Sequence, residues 1–112
     1  MADIDYLDWP FLEGRHKQLA LALDRWAYDN IHDEPHARGA ETDAACVGLV
    51  RELGAGDWIR YAVGGTAWGG SAESIDTRGI CLIRETLARH SGLADFAFAM
   101  QGLGSGALSL FG

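Results

Sequence analysis

The sequence predicts an all-α domain, and three observations carry that expectation. Apolar residues recur at helical spacing in several stretches, no segment alternates cleanly with period two, and no internal repeat is present. Proline and glycine punctuate the chain into four or five helices with one loop rich in glycine and tryptophan. The 112 residues make one domain, with the 48% hydrophobic and 22% charged content of a globular chain.

Asp8-Trp9-Pro10 reads as the start of the first helix. Asp8 offers a capping carboxylate, and Pro10 falls in the first turn, where its missing N–H costs nothing. From Phe11 to Ile31, apolar residues such as Leu12, Leu19, Leu23, Trp26 and Ala27 keep helical spacing and leave Arg15, Gln18 and Asp29 for solvent. Pro35 ends the run, because it disfavours helical backbone at Glu34. Thr42 or Asp43 caps a second helix over Asp43 to Leu53, with Cys46, Val47, Leu49, Val50 and Leu53 turned inward and Gly54 as a left-handed stop. Gly54 to Gly70 is the least helical stretch. Trp58 to Val63 fits either a short helical turn or a short extended segment, and Gly64-Gly65 with Gly69-Gly70 brackets a loop tipped by Trp68. A third helix starts near Ser74 to Asp76, buries Ile80, Ile83 and Leu87, and turns Arg78, Glu85 and Arg89 outward. Glu85 and Arg89 are spaced as a surface pair, and Ser91-Gly92 supplies the stop. The fourth helix, Leu93 to about Leu103, is apolar nearly all round and therefore central, and the glycines at 102, 104 and 106 mark a close approach or a break between two helices.

Charge excludes one class of partner. Residues 1–56 carry 5 basic and 11 acidic side chains, residues 57–112 carry 4 and 5, and the formal charge is −7. An acidic front half repels phosphate backbones and no Lys/Arg cluster offsets it, so nucleic acid is not an expected partner. The opening MADIDYLDWPFLEG has neither the basic start nor the apolar core of a secretory signal, which predicts a cytoplasmic address. The seventeen residues from Phe96 to Gly112 carry no formal charge. Their glycines, Ser105, Ser109 and Gln101 argue against a membrane span, so the apolar surface needs another cover. With Leu108, Leu110 and Phe111 directly before Gly112, the expectation is a domain cut from a longer protein.

Individual motifs yield no complete catalytic set. His32 and His36 are four apart, but Pro35 lies between them, so one helix face cannot present both imidazoles to a metal and a solvated loop is the better reading. Gly102-Leu103-Gly104-Ser105-Gly106-Ala107 has the glycines of a dinucleotide fingerprint but follows a helix instead of a strand. No Lys follows a glycine loop at phosphate-binding spacing, and neither Ser71 nor Ser105 sits in a nucleophile elbow. His90 falls at the end of the third helix, suited to the helix dipole, and Cys46 and Cys81 read as small buried hydrophobes.

The string IDTRGICLIRETLARHSGLADFAFAMQGLGSGALSLFG resembles the N-terminal helical domain of the acyl-CoA dehydrogenase family. The likeness lies in Glu85-Thr86-Leu87-Ala88, the apolar helix from Leu93 to Leu103, the small-residue element from Gly104 to Gly112, and the aromatic-Gly-Gly turn Trp68-Gly69-Gly70. It covers roughly residues 54–112. The resemblance implies one domain of an FAD-dependent enzyme that oxidises an acyl-CoA to a 2-enoyl-CoA, with the flavin-binding middle and C-terminal domains and the catalytic carboxylate outside this chain. It further implies acyl-CoA as substrate, an electron-transfer partner, the remaining domains of the same polypeptide as neighbours, and a homo-oligomer. Matched by position, the acyl-pocket wall falls on Phe96, Ala99 and Leu103, and helical spacing adds Met100 to the same face. A ring at Phe96 on the pocket floor would favour short, branched or cyclic acyl groups. The competing class is a non-enzymatic helical adaptor that binds a partner through the apolar C-terminal surface.

Overall fold

The computed structural model describes residues 5–32 and 39–111, and among these the fold is all-α. Four helices make the body: α1 (Gly14–Asn30), α2 (Ala40–Ala55), α3 (Thr77–His90) and α4 (Gly92–Phe111). Short 3-10 turns at Asp5–Asp8, Ile59–Ala62 and Thr66–Trp68 fill the connections. Helix α3 is the hub, packed against α1 on one side and α4 on the other, while α2 and the Ile59–Ala62 turn close on α4. The fold measures 39 × 39 × 18 Å, a slab about two helices thick.

Burial follows the helical periodicity. Leu23, Ala27 and Ile31 of the first segment meet Ile83 and Leu87 of α3, Ala94 and Phe98 of α4, Leu53 of α2 and Ala62. A smaller cluster of Leu7, Ala20 and Leu82 lies beneath Tyr6 and Leu12. The outward set of α3 is as expected, with Arg89 3.4 Å from Glu85.

Several boundaries differ from the sequence expectation, each for a tertiary reason. Helix α1 begins at Gly14, not at Pro10, because residues 5–12 are held as turns. The Arg78 guanidinium donates to the Phe11 carbonyl at 2.7 Å, and Tyr6, Trp9 and Phe11 pack edge to face. The start is instead a capping box. The Glu13 side chain accepts from the His16 backbone N–H, and His16 Nδ1 accepts from the Glu13 N–H at 3.0 Å. Helix α2 runs from Ala40 rather than Asp43, entered through Gly39 at φ 58°, and passes through Gly54 to Ala55. The chain turns at Gly56 and Asp57. A Cβ on Gly56 would lie 2.7 Å from the Trp26 ring, so only glycine fits there. Of the inward set predicted for α2, only Leu53 is buried, and Val47 is 49% exposed. The segment Trp58 to Val63 resolves as a 3-10 turn. Trp58 lies between Trp26 and Tyr61, tilted against the first at a centroid distance of 5.9 Å and stacked on the second at 6.1 Å.

The break after α3 comes from Ser91, not Gly92. Ser91 is extended, and its hydroxyl accepts from the Ala94 N–H to cap α4, of which Gly92 is the first residue. Helix α4 continues unbroken through the glycines to Phe111. The Gly64 N–H donates to the Ser109 hydroxyl at 3.1 Å, and the Ser105 hydroxyl lies 3.2 Å from the Ala62 carbonyl, so the adjoining loop braces the glycine-bearing turns. The helix is central only in its first half. Ala94, Ala97 and Phe98 are buried, while Leu103, Leu108, Leu110 and Phe111 are 68–88% exposed. Cys81 is exposed and Cys46 half-buried, contrary to the buried expectation for both, and neither forms a disulfide. Among the described residues no helix is long and apolar enough to cross a membrane.

Candidate functional site

Phe96, Ala99, Met100 and Leu103 share one outward face of α4, as helical spacing requires. They do not line one cavity. Ala99 and Leu103 border a slot of about 260 Å³ between α4, α3 and the Ile59–Ala62 turn, with Ile75, Ile80 and Ala62 on the opposite wall and Phe98 and Gly102 beside them. Phe96 and Met100 border a groove of about 340 Å³ on the other side, against Cys46, Val47 and Val50 of α2. The predicted wall is thus a ridge between two depressions. Its crest is open, with Phe96 53%, Met100 43% and Leu103 73% exposed.

The slot has one charged rim. Arg84 of α3 lines it, and its guanidinium is already engaged by Asp95 of α4 at 2.8 Å, which also holds the Arg84 pKa above its ordinary value. The remaining lining is apolar, so the slot suits an aliphatic segment rather than an ionic group.

A third cavity, about 390 Å³, lies at the far end of α4 between Val63, Gly64, Trp68, Ser105, Leu108 and Ser109. Sequence reasoning placed the Trp68 loop and the uncharged tail separately and did not bring them together. The available signal was the pair Ser105 and Ser109, four apart on an otherwise apolar helix, which face the loop backbone. Trp68 itself is 82% exposed at the rim.

The polar cluster at the start of α1 and α3 was also missed as a unit. His16 is fully buried, and with Nδ1 accepting from Glu13 its Nε2 carries the proton and donates to Asp76 at 3.0 Å. Asp76 also accepts from the Gly79 N–H at 3.2 Å as the α3 cap and from Arg15 at 2.6 Å. Burial works to raise the Asp76 pKa, but the bonds from Gly79, Arg15 and His16 outweigh it and hold the carboxyl below its ordinary value. Both imidazole nitrogens are occupied, so the pair is a clamp between helices rather than an acid–base couple. His90 combines the expected last-turn position with a contact of 2.7 Å to Asp24.

His32 is exposed beyond α1, and His36 lies outside the described residues, as do Glu34 and Pro35. Among the described residues no group of three or more His, Cys, Asp or Glu side chains is placed to hold a metal. Among the described residues, three depressions have volumes of about 260, 340 and 390 Å³, and none of these three presents a pair of cations to the pyrophosphate of a flavin dinucleotide. Comparison with protein-family models gives no match to this chain, and comparison with curated proteins gives none.

Proposed function

We propose that this chain is the N-terminal helical domain of an FAD-dependent acyl-CoA dehydrogenase and that it supplies one apolar wall of the acyl pocket. The observation that supports this reading is the slot beside Ala99 and Leu103, an apolar depression floored by a fully buried phenylalanine on an otherwise nearly uncharged helix. In such an enzyme a flavin and a catalytic carboxylate, both held outside these residues, would supply the redox and base chemistry. The part left to this chain is binding: Ile75, Ile80, Ala99 and Leu103 exclude water along an aliphatic tail and set its depth. Phe96 and Met100 stand on the α2 side of the ridge, so chain-length preference on this reading depends more on Ala99 than on Phe96.

The test is made on the product of the complete reading frame. Anaerobic addition of a saturated acyl-CoA should bleach a bound-flavin absorption band. A product without flavin, or a flavin that no acyl-CoA reduces, removes the reading. The exposed α4 crest favours a second reading, a helical interaction domain without catalytic function.

A further inference from the structure

The exposed face of α4 carries a pattern that neither cavity requires. Leu93, Phe96, Met100, Leu103, Ala107 and Leu110 follow one another at spacings of three, four, three, four and three, the seam of a coiled coil. All but Leu93, which is half-buried, are exposed among the described residues, with α2 reaching only the side of Phe96 and Met100. From this geometry we infer that two copies of the chain associate through α4, antiparallel, about a two-fold axis passing beside Gln101 and Gly102.

Four features select a second copy. The first is size complementarity. In that antiparallel register Phe96 faces Ala107 of the second copy, Met100 faces Leu103, and Leu93 faces Leu110, so the largest knob meets the smallest residue. A parallel pair would set Phe96 on Phe96 and Ala107 on Ala107, a clash beside a gap.

The second is the glycines. Gly104 and Gly106 lie inside α4, where glycine is the poorest helix former after proline, and a Cβ at either position would meet nothing within 4 Å. No contact among the described residues therefore explains them, whereas a neighbouring helix at close range does. The third is charge. Asp95 is the single charged residue of α4 and is already paired with Arg84, so the flanks of the seam carry no charge to repel an identical helix or to select a charged one. The fourth is area. With ~200 Å² for a fully exposed large side chain, the exposed fractions of Phe96, Met100, Leu103 and Leu110 on the seam and of Phe111 on its flank amount to roughly 600 Å² per copy. Two copies then bury about 1,200 Å², the lower bound for a specific interface.

The inference goes beyond the acyl-pocket reading and does not depend on it, although Leu103 belongs to both surfaces. Sedimentation equilibrium of the 112-residue chain should show a reversible monomer–dimer equilibrium between about 1 µM and 1 mM. Added salt should strengthen it by screening the −7 charge on each copy. Phe96→Ala and Ala107→Phe should each weaken the dimer at least tenfold, and the double variant, which exchanges knob and hole, should restore it. Gly104→Ala with Gly106→Ala provides a readout of opposite sign: the urea midpoint of the monomer should rise while dimerisation weakens at least tenfold. Circular dichroism verifies that each variant is folded. A monomer throughout the concentration range overturns the inference, and so does a dimer indifferent to these substitutions or one strengthened by the alanine pair.

Discussion

Asp76 ties the start of α3 to the start of α1, and its removal should be felt at both ends. In Asp76→Asn the single amide oxygen cannot serve both the Gly79 N–H and the His16 Nε2–H, as the two carboxylate oxygens do at 3.2 and 3.0 Å. Losing a hydrogen bond to a charged acceptor beside a fully buried imidazole costs about 2 kcal/mol. The Arg15 pair adds little, because that guanidinium is more than half exposed. Asp76→Ala should cost about 1 kcal/mol more, the usual loss for an N-cap. The pH dependence has a definite sign. Because the folded carboxyl has a lowered pKa, its contribution is fully present above the unfolded value near 4 and is lost as pH falls through the folded one. Urea unfolding of the wild type and Asp76→Asn should therefore differ by about 2 kcal/mol at pH 7, and the gap should close as the solution is acidified through the lowered folded value. A gap under about 0.5 kcal/mol at pH 7, or one that persists unchanged in acid, would refute the clamp.

Phe98→Ala should destabilise by about 4 kcal/mol and Phe96→Ala by under about 1 kcal/mol in dilute monomer, since the first ring is 1% exposed and the second 53%. Equal losses in thermal melts would contradict the assigned faces. Gly56→Ala should cost about 2 kcal/mol, because the new methyl would lie 2.7 Å from the Trp26 ring, and a neutral effect on the urea midpoint would show that the α2 turn is not built this way. Ultraviolet titration should find one tyrosine ionising near pH 12: burial and the 2.6 Å bond to Glu85 push Tyr6 up to about 12. Tyr6→Phe should abolish that late step. A disulfide-exchange reagent should modify Cys81 faster than Cys46, in keeping with the greater exposure of Cys81.

The helices were legible because their buried residues keep helical spacing: Leu23 with Ala27, Ile83 with Leu87, Ala94 with Phe98. Their ends were less so, since distant groups set them. Arg78 withholds the Phe11 carbonyl from a helix, and the Trp26 ring, thirty residues before Gly56, dictates glycine there. The continuity of α4 could not be read locally, because glycine spacing favours a break and the bracing loop at Gly64 lies 45 residues away. That Phe96, Ala99, Met100 and Leu103 share a face follows from helical spacing, but which side of the ridge each borders depends on α2 and α3, whose docking no helical wheel contains. His16 looked like an ordinary α1 residue; only the fold brings Asp76 to it across 60 positions.

Disulfide trapping on α4 tests the central claim most directly. In a background with Cys46 and Cys81 replaced by serine, Leu93→Cys and Leu110→Cys occupy opposite ends of the seam. Antiparallel pairing separates identical positions by about 25 Å along the axis, at a rise of about 1.5 Å per residue, well beyond disulfide reach. Mixing the two variants should then give a cross-linked heterodimer on mild oxidation, and neither variant alone should cross-link. Cross-linking of either variant with itself, or none in the mixture, would contradict the pairing.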